Sequence, residues 1–241
     1  MTSSKVRPRL LLALLLPSAF YFSARQLPAQ PARADQGQRI TRRVAQVLRG
    51  VIRNQNGTPI ALRITSNARS ARGFFPHISM SGGATRLKNL YASEFQLDAQ
   101  NVQIDVPALN NLGKVRTQYA QTRLRVVISE NDLTKTLSQG KSTRDMGLRV
   151  KYIGDRMRIT GHLNYAFLNG PISGVAKLRQ TADHNVYLDI LSLQLRGVEA
   201  PGFIKNQLSN RINPIINYST LPFNPPFRSL RVVGNKAILS T

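Results

Sequence analysis

The chain has 241 residues, 41% of them apolar, which is enough for one large β-rich domain or two small ones. Lysine and arginine total 34 against 11 aspartates and glutamates, so the formal net charge is +23. That imbalance predicts an anionic partner, such as nucleic acid, acidic lipid headgroups or a polyanionic wall polymer. The sequence contains no cysteine, which excludes disulfides, thiolate metal sites and a cysteine nucleophile.

The amino-terminal segment has the features of an export signal. A basic head precedes an apolar run that is too short to span a bilayer comfortably, and Ala32-Arg33-Ala34 offers small residues where a signal peptidase reads. We expect residues 1–34 to be a signal peptide cut before Asp35, with an uncleaved anchor as the alternative. Residues 35–241 are then expected to form a single domain. The expected localisation is the periplasm or cell envelope, with or without membrane association.

The first predicted element of that domain is a helix. Apolar residues from Ile40 to Val51 recur at helical spacing, with arginines on the other faces, and predict about three to four turns. This helix would either lie on a membrane or dock on a sheet with its arginines in water. From Ile60 to Val106, short alternating runs between turn residues predict an antiparallel meander, which Phe74-Phe75-Pro76 interrupts.

The middle of the chain also reads as strands. A long alternating strand ends at Ile128, and Ser129 can cap a short helix directly after it. The clearest hairpin turns at Gly154-Asp155. Between Val186 and Arg196 the apolar alternation changes phase, which indicates a bulge or a strand buried on both faces. A last hairpin is predicted around Gly234-Asn235.

Residues 199–223 carry the stripe of an amphipathic helix and then an irregular segment. The apolar positions of the stripe recur at spacings of four, four and three, with a fifth beside the last: Ile204, Leu208, Ile212, Ile215 and Ile216. Pro214 predicts a kink or an early end, because proline cannot donate to the helix ladder. The tripeptide Leu221-Pro222-Phe223, called the hook below, follows the helix.

Catalytic constellations are not found in the sequence. The three histidines are scattered and the 11 carboxylates form no obvious pair, so neither a metal site nor glycosidase chemistry is expected. The arginines are spread over every segment without a recognition helix or interleaved aromatics, which disfavours nucleic acid as a partner. We therefore expect a non-catalytic binding protein without metal or cofactor, and an unrecognised hydrolase ranks last.

Several short motifs resemble the LmeA-type phospholipid-binding family of bacterial envelope proteins. They are Ile212-Asn-Pro-Ile-Ile216, Leu221-Pro222-Phe223, Phe227-Arg-Ser-Leu-Arg-Val-Val233, Gly234-Asn-Lys-Ala-Ile-Leu239, Val127-Ile-Ser-Glu-Asn-Asp-Leu133 and Tyr152-Ile-Gly-Asp-Arg-Met-Arg-Ile159. The resemblance covers roughly residues 40–239 and implies an α+β fold related to tubular lipid-binding proteins. In such a fold a strongly curved antiparallel sheet wraps around a long C-terminal helix, here with an N-terminal helix, and leaves an apolar cleft for acyl chains.

The residues and the resemblance together predict an exported phospholipid-binding or lipid-transfer protein whose partners are phospholipid and an anionic membrane surface. The helix and the hook would line the cleft or shape its mouth: Phe203, Ile204, Leu208, Ile212, Ile215, Ile216, Leu221, Pro222 and Phe223. The candidates for the opposite lip are Phe74, Phe75, Ile78 and Met80. The same stripe also fits ordinary core without a cavity. The alternative function is a basic structural or adaptor protein that binds an acidic wall polymer or a partner protein. The sequence predicts no oligomeric state.

Overall fold

The structure is a computed structural model that describes residues 31–165 and 168–241. Most of the predicted signal peptide lies outside the described residues. The described part forms four helices: α1 (Pro31–Val51), α2 (Val106–Leu112), α3 (Glu130–Ser138) and α4 (Gly202–Ile212). It also forms fourteen strands: β1 (Ile52–Asn54), β2 (Ala61–Thr65), β3 (Phe74–Gly82), β4 (Thr85–Leu87), β5 (Leu90–Ala92), β6 (Glu94–Ile104), β7 (Thr117–Ser129), β8 (Arg149–Ile153), β9 (Arg156–Tyr165), β10 (Leu168–Gln180), β11 (Val186–Leu195), β12 (Val198–Glu199), β13 (Ser229–Val233) and β14 (Lys236–Ser240).

The strands form three open sheets in which the paired strands are antiparallel. One has six strands in the order β13-β14-β7-β6-β3-β2, one has five in the order β12-β11-β10-β9-β8, and β1-β4-β5 is a small third sheet. The predicted α+β class with antiparallel sheets is therefore confirmed. No helix within residues 31–165 and 168–241 is long and apolar enough to cross a membrane.

The core lies between the inward faces of these sheets and the helices. Apolar residues alternate with polar ones along β6, so that Phe95, Leu97 and Ala99 are buried. The first helix buries Val44 and Leu48 against this body and leaves Arg39, Arg42, Arg43 and Arg49 exposed. That arrangement confirms the prediction that the first helix docks on the rest of the fold. The alternative was a helix whose apolar face lies on a membrane.

Helix α3 connects parts of the chain that belong to different sheets, because it contacts β5, β7 and β8. It begins with a capping box in which the Ser129 side chain accepts from the Asp132 backbone and Asp132 accepts from the Ser129 backbone. Asp132 is buried and also accepts hydrogen bonds from Ser93 and from Gln55 Nε2, at 3.0 Å for the latter. The strand β5 is fixed to α3 by a further bond of 3.0 Å from Tyr91 N to Thr136 Oγ1.

Several local predictions can be compared with this fold. The hairpins at Gly154-Asp155 and Gly234-Asn235 are confirmed. The phase break in β11 is a bulge, since Ser192 pairs with Val175 and Ile190 with Ala176, which leaves Leu191 unpaired. Helix α4 ends before Pro214, as its sequence predicts, and has 11 residues where α1 has 21. The wrapping of a sheet around a long C-terminal helix stays a prediction.

Two predictions about local structure are wrong. Phe74-Phe75-Pro76 does not interrupt a strand, because Phe74 and Phe75 pair with β6 and only Pro76 has no partner there. Val106 does not end a strand but begins α2, which Asp105 caps by accepting from Ala108 N at 2.8 Å. In both places a proline was interpreted as the end of a strand. Strand pairing continues the strand at Phe74 and Phe75 instead, and the cap at Asp105 starts a helix.

Candidate functional site

An open cavity of about 620 Å³ lies where α1, the loop after α2 and residues 219–224 meet. We call it the α1–hook cavity. Its apolar lining residues are Val47, Leu48, Val51, Val115, Leu221, Pro222 and Phe223. Its basic lining residues are Lys88, Lys114 and Arg116, and no aspartate or glutamate is among the described residues that line it. The cavity therefore combines an apolar wall with an uncompensated positive edge.

The periodicity of α1 explains the apolar wall on one side. Residues four apart lie above one another on a helix, so Val44 and Leu48 form one column and Val47 and Val51 the next. The first column is buried in the core, whereas Val47 and Val51 are half-buried. The second column therefore covers less of the core and faces the cavity, together with the edge of Leu48.

The hook forms the opposite wall. Asn217 accepts a hydrogen bond from Ser219 N at 3.0 Å and starts a short 3-10 turn, and Leu221 N then bonds to Tyr218 O at 3.0 Å. The chain reverses through Phe223, whose φ of 63° lies in the left-handed region that bulky residues rarely adopt. Such backbone strain is commonly concentrated at ligand-binding sites. It places Leu221 and Phe223 at the cavity while both side chains remain mostly buried.

The basic edge comes from three short segments. Lys88 stands at the tip of the β4–β5 hairpin with a φ of 52°, and Lys114 and Arg116 are exposed in the loop between α2 and β7. That loop is held by a hydrogen bond of 2.9 Å from Asp105 N to Arg116 O. A methyl group added at Gly113 would meet Arg43 Nη2 at 3.8 Å, so a fourth base from α1 approaches the same loop.

One polar group beside this edge is unsatisfied. Thr117 Oγ1 is buried and has no hydrogen-bond partner among the described residues, although Thr117 belongs to the cavity lining. Buried polar atoms almost always have a partner in a folded protein. A ligand oxygen is one such partner, and a bound water is another.

A second, smaller cavity of about 290 Å³ lies beside the C-terminal ends of α3 and α4. Its lining is mostly polar and includes Lys141, Ser142 and Thr143, with Ile212 and Ile215 from the predicted apolar stripe. Two polar side chains of the lining already have partners, those of Thr143 and Asn213. Thr143 Oγ1 donates to Leu137 O, and Asn213 Nδ2 donates to Leu188 O. This cavity offers little apolar surface for an acyl chain.

The structure divides the residues that the sequence places in the cleft. Leu221, Pro222 and Phe223 line the α1–hook cavity. Ile204, Leu208 and Ile216 are at most 3% exposed and belong to the hydrophobic core, while Phe203 is half exposed. The proposed opposite lip lies on β3, where Phe75, Ile78 and Met80 are buried in the core and Phe74 packs under the guanidinium of Arg69. Lipid contact by these residues stays a prediction.

Sequence reasoning missed the partners of the hook. Val47 and Val51 form a second apolar column beside Val44 and Leu48, and Lys114-Val115-Arg116 alternates base and apolar residue. Neither signal identifies a cavity without the hook, which lies about 170 positions after Val51 and about 105 after Arg116. The missing information is therefore the long-range contact and not the chemistry of the residues.

Groups suited to catalysis or metal binding are sparse. No group of three or more histidines, aspartates or glutamates in residues 31–165 and 168–241 is placed to hold a metal ion. Tyr152 Oη is buried without a hydrogen-bond partner in that part of the chain. Burial, and then the negative charges of Glu130 and Asp132, raise the pKa of Tyr152 above its ordinary value, so the phenol stays protonated.

The antiparallel α+β body contains an apolar cavity with a basic edge, a combination that suits an amphipathic anion. A family model for LmeA-like phospholipid-binding proteins matches residues 28–240. The chain therefore belongs to the LmeA-like phospholipid-binding family, and the resemblance seen in its motifs is confirmed. Searches of curated proteins and of solved structures found no match.

Proposed function

We propose that the protein is an exported, non-catalytic phospholipid-binding or lipid-transfer protein of the bacterial envelope, and that it binds lipid in the α1–hook cavity. Acyl carbons would contact Val47, Val51 and the hook. The headgroup phosphate would lie at Lys88, Lys114 and Arg116. The observation that carries the proposal is that one cavity joins an apolar wall to three bases without an acid, in a member of a phospholipid-binding family.

The size of the cavity supports this proposal. Small-molecule sites occupy about 300–1,000 Å³, and the cavity of about 620 Å³ lies within that range. Each methylene removed from water contributes about 0.8 kcal/mol, so eight methylenes would contribute about 6 kcal/mol before the costs of association. Part of an acyl chain is therefore enough for useful affinity, and an open cavity permits exchange with a membrane.

The α1–hook cavity is preferred over a cleft along α4 for a simple steric reason. Ile204 and Leu208 are each 1% exposed, and α4 packs against β11. Lipid would reach this stripe only if α4 separated from β11 and a sheet then enclosed the helix and the lipid, as the predicted tubular fold requires. The cavity beside α1 needs no such movement.

The experiment combines lipid extraction with uptake of a labelled phospholipid. Purified protein is analysed by native mass spectrometry and is then mixed with vesicles that contain fluorescent phosphatidylglycerol. The double variant Val47→Phe, Val51→Phe should fill the cavity and lower uptake by about tenfold, because the added rings occupy the space of the acyl chain. Val232→Phe is the matched control, since Val232 is also a half-buried valine but is not among the lining residues.

Two results would contradict the proposed function. One is wild-type protein that is repeatedly free of lipid and takes up none. The other is a folded double variant that takes up lipid as well as the wild type, which would move the site elsewhere.

The alternative of a basic adaptor for an acidic wall polymer rests on the net charge of +23. Attachment through scattered arginines should weaken strongly as salt rises, because the Debye length falls from about 10 Å at 0.1 M to about 3 Å at 1 M. Retention of an acyl chain should hardly change over the same range. Lipid that stays bound at high salt therefore supports the cavity, whereas polymer binding that high salt abolishes, in a protein that holds no lipid, supports the adaptor.

A further inference from the structure

The outer face of the β8–β9 hairpin is basic over four positions. We call it the basic hairpin face and define it by Arg149, Lys151 and Ile153 on β8 and Arg156 and Arg158 on β9. In the antiparallel pairing Lys151 is directly opposite Arg158, and Ile153 is opposite Arg156. The intervening residues of both strands face the core and are buried: Val150, Tyr152, Met157 and Ile159. The strand period of two therefore places every base of the hairpin on one side.

Arg149, Lys151 and Arg158 have no counter-ion within the described part of the chain, whereas Arg156 lies close enough to Asp155 to be attracted by its charge. Nearby acids on the same sheet are already paired, as Asp155 accepts from Lys177 Nζ at 2.9 Å and Asp189 accepts from Arg179 Nη2 at 3.1 Å. None of the four bases forms an ion pair or a side-chain hydrogen bond with residues 31–165 or 168–241. Like charges directly opposite one another in a sheet repel, so an anion placed over Lys151 and Arg158 would relieve that repulsion.

An exposed apolar residue stands at the tip of this charged face. Ile153 is 49% exposed and, with Arg156, forms the last strand pair before the Gly154-Asp155 turn. A large apolar side chain surrounded by bases suits the boundary of an anionic bilayer, where the bases meet headgroups and the apolar side chain enters the acyl region. A dissolved polyanion offers no apolar phase for Ile153.

The sequence predicts an anionic membrane surface as a partner without assigning a face. We propose that the basic hairpin face docks the protein on an anionic bilayer, with Arg149, Lys151, Arg156 and Arg158 over the headgroups and Ile153 inserted between them. The face shares no residue with the α1–hook cavity, so the proposal stands or falls independently of the lipid site. It assigns to this hairpin the contact with the membrane and to the cavity the contact with a single lipid.

The absence of tryptophan from the sequence makes insertion directly measurable. Ile153→Trp introduces the only tryptophan of the chain at the tip, and its emission can be excited apart from that of the seven tyrosines. Its emission should shift to the blue with vesicles of phosphatidylglycerol and phosphatidylcholine, and should stay unchanged with phosphatidylcholine alone. Val233→Trp is a matched control, because Val233 is also exposed and immediately precedes the Gly234-Asn235 turn of another hairpin. No shift at Ile153, or equal shifts at both positions, overturns the proposal.

Charge reversal tests the bases against the overall charge. Lys151→Glu with Arg158→Glu, and Arg63→Glu with Arg231→Glu, each change two exposed bases, so both pairs lower the formal net charge by the same amount. We expect the hairpin pair to lower vesicle partitioning by about tenfold, since each base near an anionic surface contributes noticeably, and the control pair to lower it less than about twofold. If the reversed hairpin does not fold, Lys151→Gln with Arg158→Gln carries the same test.

Three outcomes contradict membrane docking by this face. Equal losses in both pairs would show that total charge drives the attraction. A hairpin pair that aggregates, while its soluble fraction binds vesicles normally, would show that the bases serve solubility and not membrane contact. Loss of heparin binding in the Lys151→Glu, Arg158→Glu variant, together with an unshifted emission spectrum of Ile153→Trp, would indicate a site for a dissolved polyanion.

Discussion

Helix α4 and the hook come from one apolar stretch, yet the fold uses them differently. The stripe of α4 is regular, and Ile204 and Leu208 are buried where the helix packs on β11. The hook is irregular, and Leu221 and Phe223 line an open cavity against α1. The regular apolar stripe of a helix can pack along a strand without leaving a gap. The chain reversal at Phe223, which has a left-handed backbone, presents an irregular surface that a helix or a strand does not fill completely. Interrupted apolar periodicity is thus the better indicator of a cavity.

The largest effect that tests this comparison is expected from Leu208→Ala. Leu208 is fully surrounded by core, so the truncation should lower the free energy of unfolding by about 2–5 kcal/mol. Lipid uptake per folded molecule should be unchanged, as Leu208 is not among the lining residues of the α1–hook cavity. Urea unfolding and uptake measured on the same sample provide the check. A Leu208→Ala variant with normal stability and no lipid uptake would contradict the comparison, because it would place the lipid site at α4 and not at the hook.

A smaller effect is expected at the basic edge of the cavity. Lys114→Glu with Arg116→Glu should weaken binding of anionic phospholipid by about tenfold to a hundredfold, at about 1 kcal/mol for each base near a headgroup and 1.4 kcal/mol for each factor of ten. Both side chains are exposed, so the melting temperature should hardly change. Titration with short-chain phosphatidylglycerol and phosphatidylcholine gives the measurement. An equal loss for both lipids would place the headgroup away from this loop.

The smallest effect concerns the scaffold behind Lys88. Asp132 fixes the segment after β5 through Ser93 and the turn after β1 through Gln55, so Asp132→Asn should cost about 1–2 kcal/mol and loosen the β4–β5 hairpin. Burial alone would raise the pKa of Asp132, but the hydrogen bonds from Ser129, Ser93 and Gln55 outweigh it and hold the pKa below 3.8.

The lowered pKa of Asp132 has a defined consequence for stability. The ionised carboxylate stabilises the fold fully above its ordinary pKa of 3.8, and this contribution is lost as pH falls through the lower folded-state value. Thermal unfolding from pH 7 to pH 2 should therefore show a steeper loss for the wild type than for Asp132→Asn. Parallel curves would mean that the hydrogen bonds to Asp132 do not depend on its charge.

Local patterns predicted much of the fold, and they failed where distant segments decide the outcome. Turn residues located the hairpins at Gly154-Asp155 and Gly234-Asn235, and the phase change located the bulge at Leu191, because these features depend on a few neighbouring residues. Helix α2 was missed because Ile104 and Val106 continue the alternating apolar pattern of the preceding strand. That pattern runs past Asp105, the residue that caps the helix. A seven-residue helix is too short for periodicity to compete with that pattern.

The candidate site was predicted only in part for a related reason. The hook was recognisable because its tripeptide resembles a family motif. Its partners Val47 and Val51 carry no such mark, and their contact with the hook depends on the complete tertiary structure. The predicted stripe of α4 and the β3 residues are apolar for core packing as much as for any ligand, and composition alone does not separate those uses.

The position of the hook also orders events during synthesis. The ribosome delivers α1 early, but the opposite wall of the α1–hook cavity is made from residues 219–224, close to the last strand pair. A nascent or truncated chain that stops before Ser219 therefore has only one wall of this cavity, whatever else it has folded. If lipid binds in this cavity as proposed, it can do so only after nearly the whole domain has been synthesised.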